Sequence, residues 1–143
     1  MSKRGEEAYN NFLKGYNCAQ AVLLAMSDVT GLDRETALMI TSGYGGGIGR
    51  TRSVCGTVNG MVMAANMISG CINPADSIGK QKINTLVREL LEDFKKQNGS
   101  IICAELLGLK PMENPELAGR KKRPCPLLCR DATEILEKHL NLT

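Results

Sequence analysis

SVCGTVNGMVMAANMIS, residues 53–69, decides the fold class. Ser53 is a residue type that caps helices, and the sixteen positions behind it carry neither proline nor charge. Gly56, Gly60 and Ala64 recur every four residues along one side. Small residues at that spacing let a second backbone come close, a geometry best known in membranes but general. Met61, Met63 and Met67 supply bulk around the rest. The stretch predicts a helix at the centre of the molecule, from Val54 to Ser69. Its small face would pack within the chain or against a second copy.

The residues just before it, SGYGGGIGRTRS, hold five glycines between Gly43 and Gly49, which suits neither helix nor strand. Upstream, the apolar spacing predicts helices from Lys3 to Lys14, from Asn17 to Gly31, and from a cap at Asp33 to Gly43. Downstream, Asn73-Pro74 offers a start for a longer helix with Ile83, Leu86, Val87, Leu90, Leu91 and Phe94 on its apolar face. Ser100 opens a short helix through Cys103 to Gly108, and Pro126 opens the last, with Leu128, Ala132, Ile135, Leu136 and Leu140 as its buried stripe. No segment alternates as a strand does. Aromatics make up 3% of the chain, with no Trp, so the core must be Leu, Ile, Val, Ala and the seven Met, which favours packed helices. The expectation is an all-α fold, an irregular bundle of about six or seven helices forming one domain over residues 1–143.

The net charge of +3 is too small to imply nucleic acid. No window nears the roughly 20 apolar residues of a membrane span, and MSKRGEEAYNNFLKG has no apolar stretch behind its charges, so neither a secretory leader nor membrane insertion is expected. The expected location is the cytoplasm, where structural disulfides are rare. Six cysteines in such a chain call for metal or redox chemistry, or for burial as small hydrophobes.

The cysteines do not fall at random on the predicted helices. Cys18 follows the cap Asn17, Cys55 lies in the first turn after Ser53, Cys103 in the first turn after Ser100, and Cys125 directly before Pro126. Free N–H groups and the positive end of the dipole favour an anion there, and a thiolate is one. These four are expected to gather into one buried redox or metal site. Cys71 lies past a helix C-terminus and Cys129 a full turn into the last helix, so both are read as ordinary core thiols. No CxxC is present to mark a metal by spacing, and the absence of CxxCH excludes covalent haem. The lone His139 is read as an exposed residue near the C-terminus rather than a ligand.

With these residues in place, the chain resembles the family named for a Cys, a GCAxxG element and two further Cys, whose members are described as redox-active. The first is Cys18 in YNCAQAVL, and the third and fourth are Cys103 in ICAELLG and Cys125 in RPCPLLCRDATEIL. The central element reads Cys55-Gly56-Thr57-Val58-Asn59-Gly60, with the Gly-Cys order exchanged and Thr57 in place of Ala. A similar domain in split-Soret cytochromes holds an iron–sulfur cluster beside haem. The resemblance implies Cys18, Cys55, Cys103 and Cys125 as ligands of such a cluster, here without haem, and an electron-transfer role.

Three chemistries then compete. The first is a four-cysteine cluster, expected to be [2Fe–2S], with Gly45, Gly46, Gly47, Arg50 and Arg52 contacting it and offsetting its charge. The second is cofactor-free thiol–disulfide exchange with Cys55 as the attacking, catalytic thiolate. The third is a structural zinc held by the four thiolates. GYGGGIGR matches no GxGxxG register and no GK[ST] follows, which argues against a nucleotide loop. Arg120-Lys121-Lys122-Arg123 reads as a solvated loop or a docking patch for an acidic redox partner, with no nucleic acid expected.

Overall fold

The structure, a computed structural model, describes residues 1–110 and 124–142. Among them are eight helices and no strand: α1 Lys3–Leu13, α2 Cys18–Ala25, α3 Ser27–Thr30, α4 Arg34–Ile40, α5 Gly56–Ser69, α6 Ser77–Asn98, α7 Cys103–Leu106 and α8 Cys125–His139. The all-α reading holds. The run Arg120–Arg123 lies outside the described residues.

Local capping explains most boundaries. Ser2 caps α1 and Asp33 caps α4. Asn17 forms a capping box on α2: its side chain accepts from Gln20 N, and the Gln20 side chain accepts from Asn17 N. The predicted helix from Asn17 to Gly31 breaks at Met26, whose φ of −98° and ψ of 10° end α2. Ser27 then donates its hydroxyl to Leu24 O at 2.7 Å, and α3 follows as one extra turn. Asn73-Pro74 does not open α6. Asn73 accepts from Ala75 N to make a tight turn, and Asp76 is the cap, accepting from Gly79 N at 2.8 Å.

The centre is shared by α2 and α5. Six of the eight residues of α2 are buried, as their near-continuous apolar character predicts. A Cβ added at Gly60 would lie 2.8 Å from Ala19 O, and one added at Gly56 would lie 3.0 Å from Cys18 Cβ. The small face of α5 is therefore spent on α2 within the chain, and does not await a second copy. Met61 is fully buried beside it, whereas Met67 faces solvent. Phe94, Leu90, Leu128 and Leu136 close the core from α6 and α8. The N-terminus is tied to α8: Glu137, 3% exposed, accepts from the Ser2 hydroxyl at 2.5 Å and from Arg4 at 3.0 Å. His139 is not a free surface residue, because its Nε2 lies 2.6 Å from Asp93 Oδ2. No helix of the described residues is long and apolar enough to cross a membrane.

Candidate redox site

All four singled-out cysteines stand at helix starts. Cys18, Cys103 and Cys125 are the first residues of α2, α7 and α8, and Cys55 is itself the cap of α5. Ser53 does not cap α5, because its backbone is engaged elsewhere. Ser53 O accepts from Cys103 N at 2.7 Å, and Cys55 N donates to Ile101 O at 2.8 Å. These bonds flank an isolated antiparallel bridge between Val54 and Ile102. That single bridge sets Cys55 beside Cys103.

The second pair is Cys18 and Cys125. These thiols are near enough to shift each other's titration, and the starts of α2 and α8 line the same cavity. The two pairs meet across Gly56, and all four cysteines line one cavity of about 340 Å³. Phe12, Leu106, Leu107 and Leu128 supply apolar wall, while Gly46, Gly47, Arg50 and Arg52 line another side. Among the described residues no carboxylate and no His lines it. Gly45 is the exception among the predicted contacts. It faces a neighbouring groove against Asn17.

The glycine loop is a left-handed turn. Gly46, Gly47, Ile48, Gly49 and Arg50 all have φ between 58° and 71°, and Arg52 has 63°. For Ile48, Arg50 and Arg52 this conformation costs about 1–2 kcal/mol each. Bonds from Gly49 N to Gly43 O, Arg50 N to Gly45 O, Arg52 N to Gly46 O and Ser53 N to Gly47 O hold it. The turn carries both arginines to the cavity, and Arg52 Nη1 donates to Cys103 Sγ at 3.8 Å. Among the described residues neither Arg50 nor Arg52 pairs with a carboxylate.

Helix starts alone do not make these thiols acidic. For Cys18, the neighbouring Cys125 favours the thiolate, but the neighbouring Cys129 and burial oppose it, and the thiol is held above its ordinary value. The contact with Cys18, then burial, push Cys125 up, with Arg52 pulling weakly the other way. Burial pushes Cys55 up against the help of Thr57, whose hydroxyl lies 3.1 Å from Cys55 Sγ. Cys55, 4% exposed, is thus not the pre-formed thiolate its position suggests. A consequence follows for the metal-free protein. The unfolded chain releases these protons near the ordinary thiol value of about 8.5, while the folded chain retains them. Stability is therefore full below that pH and falls above it. The Tm of metal-free, reduced protein should drop between roughly pH 8.5 and 10; a flat or rising Tm would contradict the crowding.

Two residues outside the predicted set belong to the site. Thr57, fully buried, replaces the Ala of the family element and puts a hydroxyl on sulfur; the departure from the pattern was the available signal. Cys129, also fully buried, lies behind the cavity wall and donates to Cys18 O at 3.9 Å, besides its contact with the Cys18 thiol. Its four-residue spacing from Cys125 was visible, but its partner lies 111 positions away. Cys71 is remote and faces Asn73 and Asp76. All six cysteines are free thiols. Among the described residues no group of three or more His, Cys, Asp or Glu is placed to hold a single metal ion.

The fold and cavity define a class, an all-helical protein that brings four thiols from four helix starts to one hollow walled by apolar side chains and two arginines. The chain belongs to the family described as "Putative redox-active protein (C_GCAxxG_C_C)", whose pattern matches residues 16–139. No curated protein and no solved structure matches it.

Proposed function

We propose that Cys18, Cys55, Cys103 and Cys125 hold a [2Fe–2S] cluster and that the protein transfers electrons to and from another, unidentified redox protein of the cytoplasm. The observation that carries this reading is the grouping of the thiols, two and two, around one cavity. Two irons with two thiolates each suit that donor set, whereas a tetrahedral zinc needs all four around one ion. The crowding that holds the thiols protonated is relieved when cationic iron replaces their protons.

When bound, such a cluster supplies one-electron transfer. The chain's own residues tune and shield the site. Arg52 places positive charge on Cys103, and Arg50 adds a second charge on the same wall. The Thr57 hydroxyl contacts Cys55 Sγ, and hydrogen bonds to sulfur shift potential. Phe12, Leu106, Leu107 and Leu128 limit water. Gly46 and Gly47 let backbone approach where side chains would intrude.

A second reading, cofactor-free thiol–disulfide exchange, draws on the nearness of Cys18 and Cys125 in the cavity and moves the reactive pair away from Cys55. Anaerobic purification followed by visible absorption and iron and sulfide analysis separates the two. The expected result is a coloured protein with two irons and two sulfides per chain. A colourless, iron-free protein that also fails reconstitution would sink the cluster. Loss of two thiols on mild oxidation, reversed by dithiothreitol, would then favour exchange, and stoichiometric zinc a structural site.

A further inference from the structure

Cys55, Cys103 and Cys129 are the buried thiols, and the cluster reading uses only the first two. Cys129 has no solvent exposure and does not line the cavity. It stands one helical turn past Cys125 on α8. Its thiol donates to Cys18 O at 3.9 Å. It is also near enough to the Cys18 thiol to raise the pKa there, and Cys125 acts on Cys18 as well. Cys18 therefore stands between two thiols of one helix, Cys125 on the cavity and Cys129 behind its wall.

The two neighbours differ in access. Cys18 and Cys125 are half-buried and line the cavity, where a small disulfide from solvent reaches them. An oxidant therefore joins this pair first. The reaction takes two electrons and two protons from the two thiols, and the small disulfide leaves as two reduced thiols. A bond on the cavity stays open to attack by other thiols. Cys129 attacks it from the core side as its thiolate. A bond forms between Cys129 and Cys18, the Cys18–Cys125 bond breaks, and the proton given up by Cys129 ends on Cys125. This second step is an exchange with no net oxidation. Its product lies in the core, out of reach of solvent thiols.

We propose that oxidation of the metal-free protein passes Cys18 from Cys125 to Cys129, and that the Cys18–Cys129 disulfide closes the site to iron until it is reduced. The effect on iron rests on the cluster reading, because it withdraws Cys18 from the ligands; the linkage itself does not. Disulfide mapping of the full chain tests the linkage. Reduced, metal-free protein is treated with oxidised glutathione, alkylated, digested with trypsin and mapped by mass spectrometry. Cys125 and Cys129 share one tryptic peptide, residues 123–130, and its fragment spectra tell them apart. The expected product joins Cys18 to Cys129 and leaves Cys125 alkylated. Oxidised protein should take up about tenfold less iron than reduced protein, and dithiothreitol should restore uptake. In Cys129→Ala the bond stops at Cys125, on the cavity, and dithiothreitol should cleave it about tenfold faster than in wild type. A wild-type product with Cys129 still alkylated would overturn the proposal, whether Cys18 is joined to Cys125 or free. So would equal rates of reduction in the two proteins. Reduced protein that takes no iron would defeat the cluster, and the linkage is then judged by the mapping alone.

Discussion

On the proposed cluster, Cys103→Ser should strip the protein of essentially all bound iron and of its visible absorption. Cys103 is held from two sides: its N–H is pinned to Ser53 O, and its sulfur receives Arg52. Its own helix offers no spare thiol to replace it, since α7 is a single turn with one cysteine. Serine keeps the backbone bond, and a hydroxyl at 7% exposure costs about 1–3 kcal/mol at most, so the fold survives while the ligand is gone. Cys71→Ser, remote from the cavity, should leave iron content unchanged. The contrast within α8 is sharper still. Cys125→Ser should lose the iron, whereas Cys129→Ser should keep it, because Cys129 lies behind the wall rather than on it. Iron analysis with circular dichroism on the four variants decides the matter. A coloured Cys103→Ser protein, or iron lost from Cys129→Ser and kept by Cys125→Ser, would refute the ligand assignment.

Gly47→Ala should damage both the fold and the site. Gly47 has φ of 71°, where an L side chain costs about 1–2 kcal/mol. Its added Cβ would stand 2.6 Å from Cys103 Cβ and 2.8 Å from Ser53 N. The second clash is with backbone and cannot be relieved by rotating a side chain, so an overpacking cost of about 1–3 kcal/mol adds to the first. Together the loss should be on the order of 2–5 kcal/mol, read from urea unfolding. Because the displaced groups are the Ser53–Cys103 bridge, the site should suffer before the rest of the fold. Iron uptake should fall even at temperatures where the helices remain intact. Gly43→Ala is the control, since a Cβ there meets nothing within 4 Å. Equal behaviour of the two variants would show that the loop does not hold the site.

Much of this was legible in the chain before folding. Ser2, Asn17 and Asp33 announce their helices, since a cap bonds backbone only two or three residues ahead. The placement of the four cysteines at helix starts was read from the same signals. The start of α5 was misplaced because Ser53 was drawn into the bridge with residues 101–103, and no short window contains that competitor. The α6 start was misplaced because two good caps, Asn73 and Asp76, stand three residues apart, and the first was spent on a turn.

By itself, then, the sequence determined that this protein is helical and that its cysteines begin helices, because capping and apolar period act over one or two turns. Only the tertiary structure decided which thiols meet. Arg52 and Cys103 are 51 positions apart, and Cys129 and Cys18 are 111 apart. Contacts of that range exist only once α2, α5 and α8 have closed on one another, with Gly56 and Gly60 allowing the approach. The same closure reversed the electrostatic reading of the site. Each helix start favours a thiolate, but burial and thiol neighbours hold Cys18, Cys55 and Cys125 in their protonated form.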